Sequence, residues 1–256
     1  MDIEQIDLGD NFARTCLQGS DRLVVSFESG GGSVVRPGKN RKAWGQELVA
    51  SAGWDGLHIL PKIMNWYQSP ELWSFFKMMN RSGFFHGYKE VMSYGSSMGG
   101  FGALAFAKLS ESTRVIAISP RSTLNKNTLR WNSNFSRQLQ YNQKGLRADA
   151  LSGLTPEIDV MIFVDPLYQR DMRHARRIAN HHNKTNLVRV PLLGHEIPKF
   201  LSDEQILGQV SRSAIAGEFD KAWFYQAIRW RRESAFYHKR FEKMQLRRSK
   251  AKSSVV

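Results

Sequence analysis

Lys89-Glu-Val-Met-Ser-Tyr-Gly-Ser-Ser-Met-Gly-Gly-Phe-Gly-Ala-Leu-Ala-Phe-Ala-Lys-Leu109 is the stretch on which the architecture turns. Its first six residues form a strand candidate, Gly95 to Gly100 a tight turn, and the Ala/Gly/Leu run from Phe101 a compact helix. The same alternation extends in both directions. Short apolar runs at Arg22–Phe27, Gly56–Leu60, Arg114–Ser119, Val160–Val164 and Asn186–Val190 read as further strands. Between Ser69 and Met79, apolar Leu72, Trp73, Phe76 and Met79 recur at helical spacing, and Ser69-Pro70-Glu71 supplies an N-cap, a first-turn proline and an acid at the positive helix end. Further helices are expected from about Met172 to His181 and from Ser202 to about Ile215. Strands alternating with helices predict an α/β fold of three layers, a mostly parallel sheet covered on both faces.

With 256 residues, 41% hydrophobic and 23% charged, the chain can bury one sizeable core. The expected organisation is one α/β domain over residues 1–218 and a basic amphipathic C-terminal helix and tail over 219–256. Residues 121–153, rich in Asn, Ser, Arg and Gln, are too long for an ordinary connection and read as a lid or substrate loop. The net charge of +14 is uneven: Lys221 to Lys252 carries eleven basic residues against Glu233 and Glu242. Trp223, Ala227, Trp230, Ser234, Tyr237, Phe241 and Met244 repeat there at steps of four and three, which predicts one helix face. Docking of that helix on the body is one expectation; attraction to an anionic membrane surface or a polyanion is the other.

The lone cysteine, Cys16, has no partner for a disulfide or a paired metal site. Early acids at the N-terminus and the lack of a long apolar run point to a cytoplasmic protein, with a peripheral membrane position as the variant the tail allows. P-loop, dinucleotide, EF-hand, His-Glu-x-x-His and nucleic-acid signatures are all absent from the sequence. Neither a cofactor, a metal nor a specific nucleic acid is therefore expected.

Gly95-Ser-Ser-Met-Gly99 fits Gly-x-Ser-x-Gly, the pattern of a nucleophile on a strained strand-to-helix turn, and only Ser97 has glycine at both the minus-two and plus-two positions. A serine hydroxyl needs a base, and histidine titrates in the right range. His195 lies just after a late strand, in Val190-Pro-Leu-Leu-Gly-His-Glu. His58 falls within a strand, His86 in a loop, His174 inside a helix, His181 and His182 at its end, and His238 in the tail; structural or solvent roles suit these six. The orienting acid should lie between serine and histidine and follow the penultimate strand. Asp165, directly after Val160–Val164, is the first choice. Asp171 is the alternative, although its place before Met172 also suits a helix N-cap. Asp159 stands at the wrong end of the strand.

These residues resemble the α/β-hydrolase superfamily over roughly Leu23 to Ile215, with Tyr94-Gly-Ser-Ser-Met-Gly-Gly-Phe-Gly-Ala-Leu104 as the most similar segment and bacterial esterase-like proteins as the branch it looks like. The resemblance implies an oxyanion hole of two backbone N–H groups. One belongs to the residue after the nucleophile, Met98, and the other to the loop after an early strand, at Glu28 or Ser29. That loop lacks the His-Gly pair common in the superfamily, and the acid strand lacks its usual Gly-x-x-Asp ending. Arg121, at the end of the strand Arg114–Ser119, stands where an anionic substrate group is bound or where a loop carbonyl is held. Trp66 and Tyr67 are further candidates for the substrate pocket. The function expected is cleavage of an ester-type acyl substrate, small or glycan-linked, by Ser97, His195 and Asp165 through an acyl-enzyme. Acyl transfer at the same site, or a fold kept only for binding anionic partners through the tail, are the alternatives.

Overall fold

The computed structural model describes residues 2–31, 41–125, 128 and 146–253. Among them eight strands form one sheet: β1 (Asp2–Leu8), β2 (Asn11–Leu17), β3 (Arg22–Phe27), β4 (Asp55–Pro61), β5 (Glu90–Ser96), β6 (Arg114–Ile118), β7 (Asp159–Val164) and β8 (Thr185–Arg189). Their spatial order is β1-β2-β4-β3-β5-β6-β7-β8. From β4 to β8 every neighbouring pair is parallel, while β1 and β2 form an antiparallel hairpin that joins the sheet through β4. The hairpin was not foreseen. β1 is half-exposed and carries little apolar alternation, whereas β2 is buried by its contact with β4.

Period-two geometry sends alternate side chains to opposite faces, so each buried strand supplies two cores. Leu23, Val25 and Phe27 of β3 join the first core, with Leu72, Trp73 and Phe76 of α2 (Pro70–Arg81), Phe101 and Leu104 of α3 (Met98–Ala105), and Met172 and Ile178 of α4 (Gln169–His181). Val24 points the other way. It joins a second core with Val49 of α1 (Gln46–Ser51), Phe200 of α5 (Ile197–Asp203), Val210 of α6 (Leu207–Ala216) and Phe224 of α7 (Lys221–Ala227). Three layers result, as the alternation of elements predicts.

α2 begins at Pro70 behind Ser69, in agreement with the sequence signal, but Ser69 makes no side-chain cap there; its Oγ accepts from Asn11 Nδ2 at 2.8 Å. The single helix expected from Ser202 to Ile215 is two, α5 and α6, divided near Gln205, whose φ is 58°. The tail is likewise broken. α7 gives way to a 3-10 segment at Ile228–Glu233, Ser234 is extended (ψ 139°), and α8 runs from Ala235 to Ser253. Instead of the expected stripe, Phe224 is buried against Phe163 and Phe219 and Ile228 is buried in the same core, while Trp230 is exposed. The chain beyond residue 218 is thus at first part of the second core. Of the expected lid, residues 126–127 and 129–145 lie outside the described residues. No helix among the described residues is long and apolar enough to cross a membrane.

β4 lies to one side of β3 and β5 to the other, so successive connections diverge at the carboxyl ends of β3 and β5. Such a divergence opens a crevice beyond the strand ends, the usual ligand position in an open α/β sheet.

Candidate active site

Ser97 stands in that crevice. It is the residue between β5 and α3, with φ 55° and ψ −112°, a backbone conformation that costs an L-residue about 1–3 kcal/mol. Its N–H donates to Ile118 O at 2.8 Å and its carbonyl accepts from Phe101 N at 3.1 Å, which ties the turn to β6 and to the helix it starts. The flanking glycines make the turn possible: a Cβ on Gly95 would fall on the Gly99 carbonyl, and one on Gly99 on the Phe27 carbonyl.

His195 approaches from the loop after β8. Ser97 Oγ donates to His195 Nε2 at 2.8 Å, and His195 Nδ1 donates to Asp171 Oδ2 at 2.6 Å. The histidine side chain is 31% exposed and the aspartate 1%, so the imidazole meets the cavity while its acid is shielded from water. Asp171 Oδ1 finds no hydrogen-bond partner among the described residues.

The acid on the histidine is therefore Asp171 and not Asp165. Asp165 is buried too, but both its oxygens serve backbone: Oδ1 accepts from Leu167 N at 2.8 Å and Oδ2 from Gly194 N at 2.6 Å. A carboxylate at the end of β7 has two amides to satisfy before it can turn to an imidazole. By the second bond Asp165 fixes the residue before His195. Nor does Asp171 cap α4; the N-cap is Tyr168, and Asp171 lies in the first turn. The sequence held a signal for this, because Asp171 shares a helix face with Ala175 and Ile178, four and seven residues on, and both are buried.

Met98 is the first residue of α3, where helix amides lack intrahelical partners. With Ser29, Trp44, Trp66, Ser97, Arg121 and His195 it lines a cavity of 460 Å³. Glu28, the other residue expected to supply an oxyanion donor, is turned elsewhere. Its N–H donates to Ile59 O at 3.4 Å, and its carboxylate accepts from both terminal nitrogens of Arg41 and from Trp44 N. Ser29, next to it, lines the cavity. Trp66 and Tyr67 both adopt left-handed φ, 52° and 57°, held by Asn65 Oδ1 accepting from Tyr67 N and by Gln68 Nε2 donating to Trp66 O. Only Trp66 reaches the cavity. Tyr67 is fully buried behind it, its ring edge-on to Phe27 and its hydroxyl donating to Glu28 O, so it props the loop instead of meeting ligand. Trp44, not anticipated from the sequence, stacks on Tyr94 and also borders a neighbouring 690 Å³ cavity.

From the far end of the chain, α8 brings the Arg240 guanidinium against Gly194, beside His195, where a Cβ would have no room. Among the described residues no group of three or more His, Cys, Asp or Glu side chains is arranged to hold a metal ion.

No family model matches the sequence, and no curated protein matches it. Solved structures do share the fold. The capsule O-acetyltransferase of Neisseria meningitidis serogroup A superposes with a TM-score of 0.54 at 14% identity, covering 81% of this chain and 94% of that one. A mutant of it in complex with CoA gives 0.55 at 15%, over 81% and 95%. The thermophilic carboxylesterase EstE1 from a metagenomic library gives 0.57 at 13%, over 86% and 89%. At such identities the likeness is one of fold, and the fold is that of the α/β-hydrolases.

Proposed function

We propose that the chain is a serine hydrolase that cleaves an ester-type acyl substrate. The observation that carries this reading is the unbroken line Ser97 Oγ, His195 Nε2, His195 Nδ1, Asp171 Oδ2, with links of 2.8 and 2.6 Å. Ser97 attacks the ester carbonyl as His195 takes its proton; Asp171 keeps the imidazole in the required tautomer and stabilises the imidazolium. The N–H groups of Met98 and Ser29 receive the developing oxyanion, each such donor contributing roughly 2.7–4 kcal/mol to the barrier reduction. His195 returns the proton to the leaving alcohol. Water, deprotonated by the same histidine, then releases the acid from Ser97.

Likeness to an O-acetyltransferase, including a form with CoA bound, supports a second reading in which the acyl group passes to an alcohol instead of water. The chemistry up to the acyl-enzyme is common to both. A fluorophosphonate probe should label the wild-type protein once, at Ser97, and leave Ser97→Ala unlabelled. If the wild type takes no label, the chain is not this enzyme and its basic tail becomes the place to look for function. Product analysis of an acyl ester, with and without added alcohols and sugars, separates hydrolysis from transfer.

A further inference from the structure

One helix face serves two purposes at this site. α4 presents Asp171 to His195 and, one turn on, presents buried His174 to Arg121. Arg121 Nη1 lies 3.1 Å from His174 Nε2, while Ser122 meets His174 Nδ1 with both its N–H (3.1 Å) and its Oγ (2.9 Å). Both ring nitrogens are thus in contact, Nδ1 with Ser122 and Nε2 with the Arg121 guanidinium that lies against it. Burial and the charges of Arg121 and Arg177 hold His174 neutral, with its pKa brought down to about 3. A neutral imidazole has one acceptor nitrogen, so the Arg121 and Ser122 N–H groups compete for it.

The guanidinium lines the same cavity as Ser97 and His195. Lys199, the other cation on that wall, is exposed and ion-paired with Asp203, and Glu196 at the rim is exposed. Arg121 is the half-buried cation within reach of a bound ester, and its fork geometry suits oxyacid groups.

Building on the serine-hydrolase reading, we propose that Arg121, set in place by His174, anchors an anionic oxyacid group of the substrate, so that the ester cleaved here carries a carboxylate or phosphate near its scissile carbonyl. His174 is then a positioning residue. Paired esters test this: 4-nitrophenyl hemisuccinate against 4-nitrophenyl pentanoate for an anion on the acyl side, and 4-acetoxybenzoate against its methyl ester for one on the alcohol side. The wild type should favour at least one anionic partner by tenfold or more, chiefly in KM. Arg121→Met should remove that preference, with a loss in kcat/KM at least tenfold larger on the anionic ester than on its neutral partner; Arg121→Lys should keep part of it, and His174→Asn should weaken it. Inorganic phosphate or succinate should also slow fluorophosphonate labelling of wild-type Ser97 but not of Arg121→Met. Equal losses on charged and neutral esters, in variants with wild-type melting temperatures, would make Arg121 merely structural and overturn the proposal. So would a wild type without preference or protection. Intact Ser97 labelling in those cases shows that the serine-hydrolase reading survives the failure.

Discussion

At the carboxyl end of β5 the residue that matters sits at the strand end itself; at the carboxyl end of β7 it sits seven residues further on, inside a helix. Both edges present a polar side chain immediately after the strand. At β5 that residue, Ser97, has its backbone satisfied by Ile118 and Phe101, and its hydroxyl is left for His195. At β7, Asp165 spends its two oxygens on the amides of Leu167 and Gly194, and the task of meeting the imidazole passes to Asp171. Position at the crevice is therefore not sufficient. What a side chain does there depends on which backbone groups nearby still need a partner.

The comparison can be broken most decisively by asparagine scanning. Asp171→Asn should lower kcat by about 10⁴, because the amide no longer enforces the correct imidazole tautomer, while melting temperature changes little. Asp165→Asn should do the reverse, costing about 1–3 kcal/mol in stability as the amides of Leu167 and Gly194 lose their charged acceptor, with a far smaller fall in kcat. Urea unfolding and initial rates on the two variants decide it; interchanged phenotypes would restore Asp165 as the catalytic acid.

A smaller effect concerns His58, buried in the sheet and outside the line from Ser97 to Asp171. Burial, then the charge of Arg14, brings the pKa of His58 down to about 3. Its Nδ1 is hydrogen-bonded to Ser26 Oγ at 2.7 Å. Below its ordinary pKa near 6.5 the unfolded chain takes up a proton that the folded chain refuses. Stability is therefore complete above about pH 6.5 and is lost as pH falls towards 3, by up to ~1.4 kcal/mol per pH unit for each such histidine. His58→Asn should show a flatter acid limb in denaturant midpoints measured between pH 6.5 and 4. Parallel limbs for variant and wild type would mean that the ring is protonated in the fold.

The least effect is expected at the contact between α8 and the histidine loop. Arg240→Ala should change stability by under ~1 kcal/mol, as surface contacts usually do, yet shift KM or kcat by a few fold, since the loop it abuts carries His195. Unchanged kinetics would separate the tail from the site.

Most of the sheet was legible because its strands are buried on both faces and so read as plain apolar runs, and the strand-to-helix turn at Ser97 was legible because steric crowding leaves room only for glycine at positions 95 and 99. Three features escaped. The β1–β2 hairpin lacks a buried face on β1. The tail's periodicity was real in sequence but was overridden by the docking of Phe224 on Phe163 and Phe219 and the burial of Ile228 in the same core, a tertiary preference invisible to a helical repeat. Asp171 was second choice because its position beside a helix start also suits a cap; the apolar spacing of Ala175 and Ile178 was the better guide.

The guanidinium resting on Gly194 has a meaning of its own for the chain's economy of design. It makes the last described helix a neighbour of His195, so a ligand or surface that pulled α8 aside would uncover the backbone next to the imidazole. A truncation that removes Arg240 would take away the contact with the residue before His195.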